Sequence, residues 1–302
     1  MISNLENFLK TFNFMGLVEE LRSLDLQSAS PKDVFDILGS YQLETMIVDI
    51  PKDVYIIRSR RGFGFTTAEE MTYCPVRYCT SLQRASLPHN TMFYGVISDD
   101  QSHQENARCI SCCESSTLVR KGKDSIGREN FTLSHWVVIE PLRVMSFVTD
   151  NTFPSVKNNN LLNRLRKKIV ESSGSIEDED FIHFISEEFS KVVRNNKEYL
   201  ISASLTTYMT NIFGLDGIVY PSVQMAGQAG LNIALSPDAA DKKIRFIRTL
   251  GQSFYKNKNK SIIRLEHVTE FGGQTIPISN IPDDYITQNL QIRTLDDLPL
   301  VI

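Results

Sequence analysis

Three features of the sequence predict an α+β fold. Between residues 54 and 150 the apolar runs are short and rich in β-branched and aromatic residues, notably Met92-Phe93-Tyr94-Gly95-Val96-Ile97 and Trp136-Val137-Val138-Ile139, a composition suited to a pleated, half-buried surface. From Asn158 to Phe213 the pattern turns helical, with Leu161, Leu165 and Ile169, then Phe181, Phe184, Ile185, Phe189 and Val192, then Leu200 to Ile212. Short strands return at Gly217 to Tyr220, Leu231 to Leu235 and Ile262 to Val268.

Each element follows from local chemistry. Ser3 and Glu6 have capping-box spacing, and Leu5, Phe8, Leu9, Phe12, Leu17, Val18 and Leu21 recur near the helical period, so the chain opens on a helical segment. Pro31 after Ser30 starts a second short helix ending near Gly39. Val54 to Ile57 read as the first strand, which makes residues 1 to about 50 a helical preface. The Ser172-Ser173-Gly174-Ser175 run is a loop. No internal repeat or low-complexity tract interrupts the chain, so one α+β domain with appended terminal segments is expected.

Composition narrows the function. The 302 residues, 41% of them hydrophobic, suffice for a packed core. A net charge of −4 gives no positive field to hold a phosphate backbone, so nucleic acid is a poor partner. The N-terminus carries Glu6 and lacks a basic start with an unbroken apolar run, and no stretch is long and apolar enough for a bilayer, so a soluble cytoplasmic protein without membrane contact is expected. Five cysteines leave at least one unpaired, which fits a reducing compartment.

Several motifs read as ordinary structure. Cys109-Ile110-Ser111-Cys112 has zinc-ligand spacing, but no second cysteine pair or histidine pair completes a tetrahedral set, and no metal is expected. Gly62-Phe63-Gly64 lacks the third glycine of a dinucleotide fingerprint and reads as a turn. Arg164, Arg166, Lys167 and Lys168 alternate with apolar residues as a solvated helix face does.

The informative segment is Gly214-Leu215-Asp216-Gly217-Ile218-Val219-Tyr220-Pro221-Ser222, followed by Gly230-Leu231-Asn232-Ile233-Ala234-Leu235. It reads as a helix end, a tight turn, a short strand and a stop. Pro221 cannot donate to a ladder and ends the strand, leaving Ser222 at an edge where its hydroxyl can face a cleft. From the residues alone, a hairpin with a polar tip is an equally good reading.

This segment, with the helix before it, closely resembles the C-terminal signature of the RES (Arg-Glu-Ser) domain family. Upstream, Ile57-Arg58-Ser59-Arg60 resembles the family's first strand with its arginine. Gln83-Arg84-Ala85-Ser86 resembles its glycine-arginine-small-asparagine element, with Gln83 in place of the glycine and Ser86 of the asparagine. Met92-Phe93-Tyr94-Gly95 resembles its aromatic strand, and Ala107 to Ser115 the segment with the family glutamate. The match covers roughly residues 54 to 236.

The resemblance implies an ADP-ribosyltransferase-like mixed β-sheet core with surrounding helices. It divides the chain into a helical N-terminal extension over 1–50, a catalytic domain over 51–240 and a C-terminal extension over 241–302 packed on the same domain. It implies a bacterial NAD⁺ glycohydrolase, with a mono-ADP-ribosyltransferase or a catalytically silent interaction module as alternatives. NAD⁺ is then the substrate, and the expected protein partner is an antitoxin or a second copy of the chain. Arg58, Glu114 and Ser222 become the catalytic residues, with Glu105 competing for the glutamate; Arg84, Tyr94 and Asn232 become NAD-binding residues. The chemistry suits these types. Cleaving a ribosyl–nicotinamide bond passes through an oxocarbenium-like state that a carboxylate stabilises, and a guanidinium offers forked donors to phosphate. An aromatic ring can stack on nicotinamide, while Ser222 and Asn232 supply neutral hydrogen bonds.

Overall fold

The computed structural model describes residues 14–41, 47–98, 104–120, 125–146, 176–191, 193–222, 230–258, 260–270, 273–278 and 280–301. Along the chain these form α1 (Phe14–Arg22), α2 (Pro31–Leu38), β1 (Ile47–Ile50), β2 (Tyr55–Arg61), α3 (Ala68–Met71), β3 (Phe93–Ser98), α4 (Gln104–Ser115), α5 (Thr117–Arg120), β4 (Gly127–Val138) and β5 (Leu142–Ser146). They continue with α6 (Ile176–Ser190), α7 (Leu200–Ile212), β6 (Gly217–Pro221), β7 (Leu231–Leu235), α8 (Pro237–Lys243), β8 (Ile244–Asn257), β9 (Lys260–Glu270), β10 (Thr275–Pro277) and α9 (Asp283–Leu290). The chain is a mixed α+β protein. The Ser3–Glu6 cap, the first turns of the opening helix, Val192, the pattern over 158–175 with its basic run and Ser172–Ser175 loop, and the 223–229 connection lie outside the described residues.

The residues fall into two compact units, each assembled from separated parts of the chain. The first comprises 1–52, 73–94 and 140–243; the second comprises 53–72, 95–139 and 244–302.

In the first unit the strand order is β1-β5-β6-β7, with β5 and β6 parallel and the other pairs antiparallel. Helices α6 and α7 pack on β6, α1 packs on α6, and α2 on α7. Ser30 caps α2, its backbone N–H and its hydroxyl each 2.7 Å from Asp33 Oδ2, and Pro31 fills a first-turn position that needs no N–H. Helix α7 is buried nearly all round, from Leu200 through Thr207, so its small Ser and Thr residues lie inside with its apolar ones, and Thr206 Oγ1 donates back to the Ser202 carbonyl at 2.8 Å. Reading residues 1–50 as purely helical is corrected here, because Ile47–Ile50 pair with Leu142–Met145. Four residues are too few to show a period, and β1 is selected by a partner about a hundred residues away.

In the second unit the order is β3-β2-β4-β8-β9-β10, antiparallel throughout. Strand β8, with 14 residues the longest, was not anticipated. Its alternation is broken by Gly251 and by buried Gln252 and Ser253, and its register shifts between Gly251 and Gln252. Helix α4 packs on β2. Helix α9 lays Ile286 and Leu290 against Tyr255 of β8 and Leu298. Gly62 and Gly64 have positive φ after β2, the turn expected there.

Candidate functional site

The Gly214–Ser222 segment folds as its residues require. Helix α7 ends at Phe213, and Gly214 takes φ +60, a left-handed conformation that glycine adopts without strain. Asp216 accepts from the Arg143 backbone N–H at 2.7 Å and from Lys243 Nζ at 2.8 Å, so this carboxylate joins the starts of β5 and β6 to the end of α8. A Cβ on Gly217 would run into the Ala234 carbonyl oxygen, so only glycine allows β6 its approach to β7. The register pairs Tyr220 with Asn232 and Pro221 with Leu231, and the Ser222 N–H donates to the Gly230 carbonyl at 2.9 Å. Ser222 is 1% exposed and Asn232 4%. The serine was expected at an open edge; it is buried, because the chain stays paired one residue beyond the proline.

The same unit holds Arg84 and Tyr94. Gln83 and Ser86 exchange backbone hydrogen bonds across a tight turn, and the Tyr94 hydroxyl braces it, accepting from the Ala85 N–H at 3.2 Å and lying 3.1 Å from Ser86 Oγ. Arg84 projects from this turn to the C-terminus of α6. It donates to the carbonyls of Phe189 and Lys191 and to the Tyr199 hydroxyl, with its guanidinium 5.1 Å from the centre of the Tyr199 ring. A cation at the negative end of a helix is favourable. The residue expected to bind NAD⁺ is thus engaged by the end of α6 and Tyr199. The Phe189 and Tyr220 ring centres are 5.0 Å apart, and Tyr220 shares a face with its cross-strand partner Asn232. Arg84 and Tyr220 thus approach the end of α6 from two elements.

Arg58 and Glu114 belong to the second unit, and β2 stands between them. Side chains alternate across a strand. Ser59 donates its hydroxyl to the Ser111 carbonyl at 2.6 Å and lies 2.8 Å from Ser115 Oγ, both on α4. The odd-numbered face of β2 therefore meets α4, and half-buried Arg58 points to the other face. Arg60 follows it there, donating to the Thr72 carbonyl with its guanidinium 5.7 Å from the Phe65 ring centre. Glu114, on α4, is half-buried. Burial first, then the neighbouring Cys109 and Glu114, pushes the Cys113 thiol up to about 11. Glu105 is exposed, 3.6 Å from Arg108.

Two polar sites on the α4 side of β4 went unread. Glu129, 1% exposed, accepts from Arg61 Nε and from Ser116 Oγ. His135, 2% exposed, lies opposite Ile57 and Arg248. Burial, then Arg248 and Arg108, holds its pKa down to about 3, so the ring is neutral at neutral pH. The signal was present: Glu129, Phe131, Leu133, His135 and Val137 share one face of a strand, and two polar residues interrupt an apolar series.

Among the described residues all five cysteines are free thiols, and no three His, Cys, Asp or Glu side chains gather as a metal site. No described helix is long and apolar enough to cross a membrane. No protein-family model and no curated protein matches the chain.

Proposed function

We infer that this chain is a RES-like enzyme that binds NAD⁺ and cleaves its nicotinamide–ribose bond. The observation carrying this reading is the β6–β7 hairpin. Its special residues meet specific local demands, yet its strand ends hold two buried polar side chains, Ser222 and Asn232. A hairpin serving packing alone gains nothing from burying a hydroxyl and a carboxamide. Both groups donate and accept, as the carboxamide of nicotinamide and the hydroxyls of ribose do.

In this reading Arg58 offers forked donors to a pyrophosphate and the Tyr94 ring, its hydroxyl held by the turn, offers a face for stacking. A carboxylate stabilises the positive charge that develops on the ribose as nicotinamide leaves with the bonding pair. Water then adds at the ribose carbon and gives ADP-ribose and a proton. Glu114 is the carboxylate the resemblance implies. An antitoxin or a second copy of the chain is the protein partner in this reading.

One observation favours a second reading. Arg58 and the helix that carries Glu114 lie on opposite faces of β2, an arrangement that a silent RES-like module would allow. Incubating the full chain with NAD⁺ while following nicotinamide, ADP-ribose and label on protein separates the readings. Free ADP-ribose marks a hydrolase and labelled protein a transferase. No nicotinamide release, with Ser222→Ala identical to the parent, retires the enzyme reading in favour of the module.

A further inference from the structure

The α4-facing side of β4 and β8 carries a cluster that the NAD⁺ reading does not use. His135 and Arg248 are cross-strand partners, and Ile57 on β2 flanks the histidine on the same face. The Ser59 bond to the Ser111 carbonyl seats α4 over this face, and Arg108 lies one helical turn before Ser111. Among the described residues, His135 Nε2 and Arg248 Nε are fully buried and have no hydrogen-bond partner. Acidic neighbours do not neutralise the cluster. Glu105 is 86% exposed and 3.6 Å from Arg108, while Glu270, opposite Arg248 on β9, is exposed and forms no ion pair with it.

The Arg108 guanidinium is paired only with a carboxylate that water screens, and the half-buried Arg248 guanidinium has no ion pair among the described residues; such a charge is costly, and buried nitrogen atoms without a partner add to that cost. An ionised tetrahedral oxyanion supplies both the charge and the acceptors, and its oxygens match a guanidinium fork. A neutral imidazole adds one further N–H donor in the tautomer that protonates Nε2. The Arg108 side chain, 24% exposed, leaves a way in along α4.

We propose that His135, Arg108 and Arg248 form a binding site for a phosphate-type oxyanion. The site does not depend on nicotinamide release. The oxyanion is either free phosphate or the phosphate of a nucleotide, and the probes distinguish them.

The test uses the full chain with ¹⁵N-labelled histidine, at constant ionic strength set with chloride, titrated separately with inorganic phosphate and with ADP-ribose. The His135 ring resonances are assigned by their loss in His135→Gln. Phosphate is expected to move its resonances and raise the melting temperature, with affinity falling roughly tenfold or more in R108Q and in R248Q. Movement with inorganic phosphate assigns a free-ion site; movement with ADP-ribose alone assigns an oxyanion carried on a nucleotide. A His135 signal that responds to neither probe overturns the proposal. So does an undiminished response in folded R108Q, which changes a partly exposed helix position.

Discussion

The Ser59 hydroxyl donates to the Ser111 carbonyl at 2.6 Å, and this bond decides which face of β2 meets α4. Arg58, one residue earlier, therefore points away from the helix that carries Glu114. Side chains on opposite faces of a strand contribute to stability nearly additively. The stability losses of Arg58→Ala and Glu114→Ala should add to within about 0.5 kcal/mol in the double variant, read from urea unfolding. A coupling well above 1 kcal/mol would mean the two side chains touch, and would return them to a common centre.

Arg61 and Glu129 make an unequal pair, because the arginine side chain is 37% exposed and the carboxylate 1%. Removing the arginine strands a buried charge, whereas removing the carboxylate leaves a cation that water reaches. Arg61→Ala should cost about 3 kcal/mol, and Glu129→Gln, which can still accept a hydrogen bond, nearer 1 kcal/mol. Denaturant midpoints of the two variants check the order; equal losses would place Glu129 in solvent.

His135 makes stability depend on acid. Its folded pKa is held down to about 3 by burial and then by Arg248 and Arg108, against 6.5 for an ordinary histidine. The unfolded chain therefore takes up the proton first. The stabilisation is complete above pH 6.5 and drains away between 6.5 and about 3. One proton corresponds to about 1.4 kcal/mol per pH unit within that window. In phosphate-free buffer, His135→Gln should flatten the pH dependence of unfolding free energy between pH 6 and 4 by up to that slope. An unchanged slope would show a ring that titrates normally.

Arg84 closes the end of α6 with donors to two carbonyls and a phenol. Arg84→Ala should lower stability by about 2 kcal/mol, and Arg84→Lys by less, since it keeps the charge at the helix terminus and loses the fork. Any NAD⁺ turnover should then fall only with the folded fraction, as melting curves and rates on the same samples will show. A folded Arg84→Ala protein with abolished NAD⁺ binding would restore the ligand role.

Tyr94→Phe removes a hydroxyl that braces the 83–86 turn and leaves the ring. It should cost about 1 kcal/mol from the lost hydrogen bonds, and in the NAD⁺ reading most turnover survives because the π-face remains. If turnover vanishes while the melting curve is nearly unchanged, the hydroxyl and not the ring carries the role.

The sequence by itself determined the elements whose cause is local. Pro31 behind Ser30 starts α2, α7 spans Leu200–Ile212 as its apolar run requires, and the β-branched run between Gly214 and Pro221 forms β6 against Leu231–Leu235. Capping, periodicity and backbone freedom act over a few residues, so they can be read from a few residues. The tertiary structure alone decided β1 and β8, which answer to distant partners, and the allocation of faces. Alternation separates Arg58 from Ser59 in any strand, but only the packing of α4 on β2 puts the helix that carries Glu114 on the Ser59 side. Arg84 went to a helix end for the same reason: Phe189 and Lys191 lie over a hundred residues away, and their carbonyls meet the guanidinium only when the chain folds back on them.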